Sequence, residues 1–140
     1  MVEITGEYEG DLHCRAVHGP SGSVLNTDAP KDNQGRGEAF SPTDLVATSL
    51  ATCMATTMAL AARRHQVDLA GLRFRAVKEM SADLPRRISR LKVEFWVPPA
   101  ARQLPPGTLE AAAKNCPVHR SLDPSVEKVV EFHWDEPASR

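Results

Sequence analysis

Two kinds of hydrophobic pattern divide this chain. Residues 45 to about 65 are almost entirely apolar or small, and the only charges there are two arginines near the end of the stretch. A stretch of this composition predicts a long central helix that is buried on most of its sides. Ser41, Pro42 and Asp44 form the capping-box-like start that such a helix needs.

Elsewhere the apolar residues alternate with polar ones. Residues 72–78 and 91–97 show this period of two, which predicts strands with one apolar face. The proline-containing segment between them favours an antiparallel hairpin. Residues 2–27 predict short strands, with turns at 8–12 and 19–22.

The C-terminal part predicts shorter elements. Residues 108–114 have helical propensity, Pro117 starts a short helix to about residue 122, and residues 126–134 form a last strand. The predicted order is β-β-β-α-β-β-α-α-β, an α+β fold with an antiparallel sheet, as one domain over residues 1–140. The polar, aperiodic segment 26–40 predicts a loop of the kind that is often functional.

Composition narrows the function classes. The 140 residues are 41% hydrophobic and 25% charged, with a net charge of −1, so nothing favours nucleic acid or an anionic membrane as partner. The apolar stretch at 45–62 is interrupted by hydroxyl residues and falls short of the ~20 apolar residues of a membrane span. The N-terminus lacks the pattern of a signal peptide, so we expect a cytoplasmic protein.

Three cysteines, an odd and widely spaced set, argue against a disulfide framework. Cys116 precedes Pro117 and is therefore predicted to cap a helix, where unpaired N–H groups favour the thiolate and lower its pKa. A buried, inert Cys116 is the alternative.

Cys53 lies in mid-helix and needs a cation from elsewhere to become a nucleophile; otherwise it is a packing residue. The candidate cations are Arg36, Arg15 and His119. Cys14 alternates with apolar neighbours on a strand, which favours a place in the core.

Other chemistry has weaker support. Cys116 and His119 have the spacing of a metal-ligand pair, but no second close pair completes a site, so we expect no metal. Gly35-Arg36-Gly37 lacks the remaining residues of a phosphate-binding loop. Cysteine–histidine acyl transfer stays open, without positive support.

Several motifs together resemble one family. Residues 40–45 (Phe-Ser-Pro-Thr-Asp-Leu), leading to Cys53, resemble the Asn-Pro-Glu-x-Leu…Cys helix of the OsmC/Ohr family, the osmotically inducible protein C and organic hydroperoxide resistance proteins. Residues 114–118, which contain Cys116, resemble the family's Cys-Pro-Val motif. Residues 8–11 and 21–26 resemble the N-terminal strands of the OsmC branch.

The resemblance implies a thiol peroxidase. Cys53 would attack an organic hydroperoxide and become a sulfenic acid, and Cys116 would resolve it as a disulfide. An external dithiol or lipoyl-type reductant would reopen that disulfide, and the protein would carry no cofactor. The family forms intertwined homodimers with the sites at the interface.

The chain departs from the family pattern at the residues that activate the first cysteine. Thr43 stands where peroxidase members have a glutamate, and Asn33 stands near the place of the arginine that pairs with it. We therefore take Arg36 and Glu38, from the preceding loop, as the candidate activating pair. The alternative is a non-catalytic relative that binds a small apolar ligand or acts in the stress response.

Overall fold

The structure, a computed structural model, describes residues 1–134. Its elements run in the predicted order and confirm the α+β class: β1 (Ile4–Gly10), β2 (His13–His18), β3 (Val24–Asp28), α1 (Pro42–Arg63), β4 (Arg73–Met80), β5 (Ile88–Trp96), α2 (Thr108–Lys114), α3 (Pro117–Ser121) and β6 (Glu127–His133). Short 3₁₀ helices lie at Lys31–Asn33 and Pro99–Gln103.

The chain divides into two compact units. The first comprises Met1–Val46 and the second begins at Ala47, so the boundary falls inside α1. Each unit contains one three-stranded sheet, β1-β2-β3 in the first and β4-β5-β6 in the second. That residues 1–140 form a single domain stays a prediction.

The sheet of the first unit is antiparallel throughout. Cys14 lies on β2 opposite Tyr8 and Thr27, and it is exposed. The prediction that Cys14 belongs to the core is therefore wrong for this chain. Alternation predicts that a side chain faces one side of a sheet, but it does not predict that anything covers that side.

The sheet of the second unit is only partly antiparallel. β4 and β5 form the predicted hairpin, whereas β6 pairs with β5 in parallel. The prediction of an antiparallel sheet is wrong for this one pair. The connection from β5 to β6 carries α2 and α3, and a crossover of this length is what a parallel pair requires.

Helix α1 begins with the predicted capping box. The Ser41 N–H donates to Asp44 Oδ2 at 2.9 Å, and the Asp44 N–H donates to Ser41 Oγ at 3.0 Å. The helix buries one face rather than most of its sides: its buried residues are Ala47, Leu50, Ala51, Met54, Met58 and Ala62. The opposite face, at Thr52, Thr56 and Leu60, is exposed.

The 22 residues of α1 also meet the length and composition of a membrane span, contrary to the expectation that the stretch is too short. A core helix meets the same criteria, and six residues of α1 are buried in this structure.

Threonine is tolerated in so apolar a helix because its hydroxyl bonds to the helix backbone. Thr52 Oγ1 donates to the Thr48 carbonyl and Thr56 Oγ1 to the Thr52 carbonyl, both at 2.8 Å.

Candidate functional site

Cys53 lies in the interior of α1 and is half-buried. Its carbonyl oxygen accepts a hydrogen bond from Thr57 Oγ1 at 2.8 Å, one turn further along the helix. The rigid helix therefore fixes the position from which the Cys53 thiol extends.

Cys116 occupies the N-cap of α3, as predicted. Its backbone is extended, with φ −61° and ψ 135°, and Pro117 follows as the first helical residue. Its Sγ accepts a hydrogen bond from the His119 N–H at 3.2 Å, and its own N–H donates to the Ala113 carbonyl at 3.3 Å. The side chain is completely buried.

The Cys53 and Cys116 side chains interact within the second unit, where Cys53 acts on the Cys116 thiol through a hydrogen bond and through its charge. Burial raises the pKa of the Cys116 thiol above its ordinary value of 9.0, and the neighbouring Cys53 raises it further. The N–H groups of His119 and Val118 lower this pKa but do not overcome burial. The prediction that the helix start lowers the pKa of Cys116 is thus wrong, because the N-cap position is buried.

His119 does not provide the cation that Cys53 was predicted to need. Burial lowers the pKa of His119 below its ordinary 6.5, and the positive charges of Lys128, Arg120 and Lys114 lower it further. The imidazole is therefore neutral at pH 7. Arg15, another candidate cation, lies exposed on β2 of the first unit.

Arg36 and Glu38 lie in the loop that follows β3, where both side chains are exposed. Within residues 1–134 they form no ion pair with each other. Both instead contribute to the surroundings of Asp28: the Glu38 N–H donates to Asp28 Oδ2 at 3.2 Å, and the charge of Arg36 helps to lower the pKa of Asp28. Their action on Cys53 stays a prediction.

Asp28 organises this loop and is a residue that the sequence analysis missed. It is only 2% exposed, and its Oδ1 lies 2.6 Å from Nδ1 of His13, the residue opposite it in the β2–β3 register. The hydrogen bond with His13 is the main cause that lowers the pKa of Asp28 and raises the pKa of His13. No local pattern distinguishes such a buried aspartate from an exposed one at a strand end.

One group of metal-ligand types occurs among the described residues. Ligand atoms of Glu94, Glu131 and His133 lie within 4.8 Å of one another. The Lys92 Nζ lies 3.8 Å from Glu94 and 3.4 Å from Glu131, and Arg75 lies 3.1 Å from Glu94. These ion pairs already balance the carboxylates, as expected for opposite charges on neighbouring strands.

Two interacting thiols, one on a long helix and one at a helix start, define a two-cysteine site of an α+β protein. The sequence profile of the family described as OsmC-like protein matches residues 35–131, which include both cysteines. The chain therefore belongs to the OsmC-like family. No curated protein matches it.

Solved structures agree with this assignment. A protein of Psychrobacter arcticus 273-4, provisionally named an osmotic stress induced and detoxification response protein, is 41% identical, with a TM-score of 0.85 over 95% of this chain and 96% of its own. The organic hydroperoxide resistance protein OsmC of Legionella pneumophila is 12% identical, with a TM-score of 0.73 over 94% and 96% of the two chains.

A further similar structure is an organic hydroperoxide resistance protein of Elizabethkingia anophelis. It is 12% identical, with a TM-score of 0.74 over 94% of each chain. At such low identity, the Legionella and Elizabethkingia proteins establish the shared fold.

Proposed function

We propose that this protein is a thiol-dependent peroxidase that reduces organic hydroperoxides through Cys53 and Cys116. The observation that carries the proposal is the interaction between the Cys53 and Cys116 side chains, since a disulfide forms only between sulfur atoms that can reach each other. Membership of a family that includes organic hydroperoxide resistance proteins supports the choice of substrate.

The reaction balances in three steps. The Cys53 thiolate attacks the O–O bond of ROOH, which leaves Cys53 as a sulfenic acid and, after protonation, releases ROH. The Cys116 thiol then attacks the Cys53 sulfur, the S–O bond breaks and water leaves. An external dithiol, such as a lipoyl-type thiol, reduces the disulfide and is itself oxidised to a disulfide.

Cys116 is better suited to resolve the sulfenic acid than to attack the peroxide. Burial favours its protonated form, which is a poor nucleophile toward a peroxide. In the resolving step the thiol proton combines with the sulfenic hydroxyl group and leaves as water. Cys53, which is half-buried, is the better candidate for the attack.

Activation of Cys53 is assigned to Arg36 and Glu38. A guanidinium group near the sulfur would favour the thiolate, and a carboxylate would orient that guanidinium. We further propose that the working form is a cytoplasmic homodimer.

Counting free thiols tests the proposal. Reduced protein is mixed with cumene hydroperoxide or hydrogen peroxide, and the remaining thiols are titrated. We expect the organic peroxide to remove two of the three thiols rapidly and hydrogen peroxide to do so more slowly. Cys53→Ser should abolish the loss, and Cys116→Ser should leave a Cys53 sulfenic acid that dimedone traps.

Cys14→Ser is the matched control, because it removes an exposed thiol that has no part in the proposal. This variant should keep the full rate of peroxide reduction. Unchanged thiols after treatment of the wild-type protein would contradict the proposal.

Thr43 favours a second candidate, a non-catalytic OsmC-like protein that binds a small apolar ligand. Its hydroxyl lies 3.2 Å from Ser41 Oγ, at the position where peroxidase members are expected to carry the activating glutamate. This candidate predicts that all three thiols persist in the presence of cumene hydroperoxide.

A further inference from the structure

A cavity of about 300 Å³ lies in the second unit, bordered by α2, α3 and β6. Its lining combines four polar side chains with three apolar ones: Glu110, Lys114, His119, Lys128, Ala113, Val130 and Phe132. The volume suits a small organic molecule. The proposed peroxidase chemistry does not use this cavity.

The apolar part of the lining continues the core of the unit. Phe132 stacks on Phe95 with ring centroids 5.7 Å apart, and Val130 pairs in register with Val93. Phe95 and Val93 are buried, so their packing fixes the positions of Phe132 and Val130 in the cavity wall. It offers an apolar surface to a ligand side chain.

Lys128 supplies a fixed positive charge. Its Nζ donates to the Val126 carbonyl at 2.8 Å and to the Asp123 carbonyl at 3.2 Å, which leaves one of its three N–H donors for another acceptor. Lys114 lines the same cavity. The charges of both lysines act on His119, which shows that positive potential is concentrated here.

Glu110 supplies a negative charge to the lining of the same cavity. Its Oε2 is buried and has no hydrogen-bond partner among residues 1–134. Lys114 follows at the i+4 position, the usual spacing of a helix ion pair, yet it does not satisfy this oxygen. Glu110 also lines the cavity, so a cationic or N–H-bearing ligand group there would interact favourably with its carboxylate.

We propose that this cavity binds a small zwitterion of the amino-acid type. The ligand carboxylate would pair with Lys128 and Lys114, the ammonium group with Glu110, and an apolar side chain would rest on Val130 and Phe132. Opposite charges inside one cavity match a ligand that carries both. The inference is independent of the proposed peroxidase activity.

Calorimetric titration with three related probes tests the site. L-phenylalanine has both charged groups, 3-phenylpropionate lacks the ammonium group, and phenethylamine lacks the carboxylate. We expect L-phenylalanine to bind with a dissociation constant of about 1 mM or lower, and each truncated probe about tenfold more weakly, the effect of one charged hydrogen bond.

Two substitutions assign the contacts. Glu110→Gln should weaken L-phenylalanine about tenfold and leave 3-phenylpropionate unchanged or tighter. Lys128→Met should weaken both carboxylates and spare phenethylamine. Lys114→Met, at an exposed position, serves the same purpose if Lys128→Met fails to fold. Glu7→Gln, on the exposed face of β1, is the control that should change nothing.

The result that would overturn the proposal is the absence of L-phenylalanine binding to the folded protein. Equal affinity for all three probes, or an affinity that neither Glu110→Gln nor a lysine substitution alters, would do so as well. Cumene hydroperoxide reduction is measured on the same variants and should be unchanged, because none of these substitutions alters Cys53 or Cys116. Failure of the ligand site and failure of the peroxidase proposal are therefore distinguished.

Discussion

The two units of this chain bury very different kinds of side chain. In residues 1–46, all of which the structure describes, the only buried residues are the polar Asp28 and Ser41. In residues 47–134 the buried residues are apolar ones on α1, β5, the connecting helices and the adjoining loops. The first unit also exposes large hydrophobic side chains, among them Ile4, Tyr8 and Leu25.

This difference shows that a regular sheet is not by itself a hydrophobic core. The strands of the first unit pair in register, but burial of apolar surface is the main stabilising term in folding, and this unit has no fully buried apolar side chain. The fold of the first unit depends on backbone pairing and on Asp28. A further surface that covers its apolar residues would add to its stability. Partner chains in the homodimer expected for the family would offer such a surface.

The largest effect should come from emptying the core of the second unit. Leu50 is completely buried, so Leu50→Ala should lower the free energy of unfolding by about 2–5 kcal/mol. Leu84→Ala, in the same unit but 87% exposed, should stay within about 0.5 kcal/mol. Urea unfolding measures both, and equal losses would contradict the assignment of the core.

In the first unit, the loop after β3 should be more sensitive to substitution than the turn between β2 and β3. A Cβ at Gly35 would lie 1.7 Å from the Ala29 carbonyl oxygen, so Gly35→Ala must displace the loop backbone, and we expect a loss of about 3 kcal/mol. Gly22→Ala is the control: it meets no neighbour within 4 Å and has only the strain of φ +72°, about 1–2 kcal/mol. Urea unfolding measures the free energy of unfolding of both variants. Equal losses would contradict the prediction, because they would show that the loop backbone accommodates the added methyl group.

A charge on the exposed apolar surface tests whether a partner covers it. Neighbouring strand residues point to opposite faces, so Val24→Asp and Leu25→Asp probe the two faces of β3 separately. Light scattering should give twice the 15.3 kDa of one chain for the wild type. One of the two substitutions should weaken the dimer by about a hundredfold, because an unpaired carboxylate is costly to bury.

A wild-type mass of one chain would show that the homodimer prediction is wrong. A dimer that survives both substitutions would place its interface away from both faces of β3.

The smallest effect should be the pH dependence of the His13–Asp28 pair. The hydrogen bond to Asp28 raises the pKa of His13 above 6.5, so the stabilisation from His13 is complete below pH 6.5 and is lost as the pH rises through the raised value. The pKa of Asp28 is lowered below 3.8, so its contribution is present above that pH and is lost in stronger acid. Stability from the pair should therefore be greatest between about pH 4 and pH 6.5.

Unfolding measured across the pH range tests this window. His13→Gln should remove the decline above pH 6.5, whereas His18→Gln, at an exposed histidine bonded to Ser21, should retain it. Glu9 and Asn26 also act on His13, and Arg36 acts on Asp28, but His13 is the member of the pair whose charge changes above pH 6.5. An unchanged decline in that variant would refute the role of His13.

The sequence by itself determined the element order, the capped start of α1 and the N-cap position of Cys116. These features depend on local rules: periodicity, hydroxyl caps and the fixed φ of proline act within a few residues. The family motifs likewise identified Cys53 and Cys116 as a pair, and the structure brings their thiols together.

Only the tertiary structure decided how each residue is surrounded. It placed Cys116 in the interior, where burial outweighs the helix start, and it left Cys14 exposed on an uncovered sheet. It also paired β6 with β5 in parallel and joined His13 to Asp28 across 15 residues. Burial and long-range pairing depend on which distant segments meet, and no local pattern contains that information.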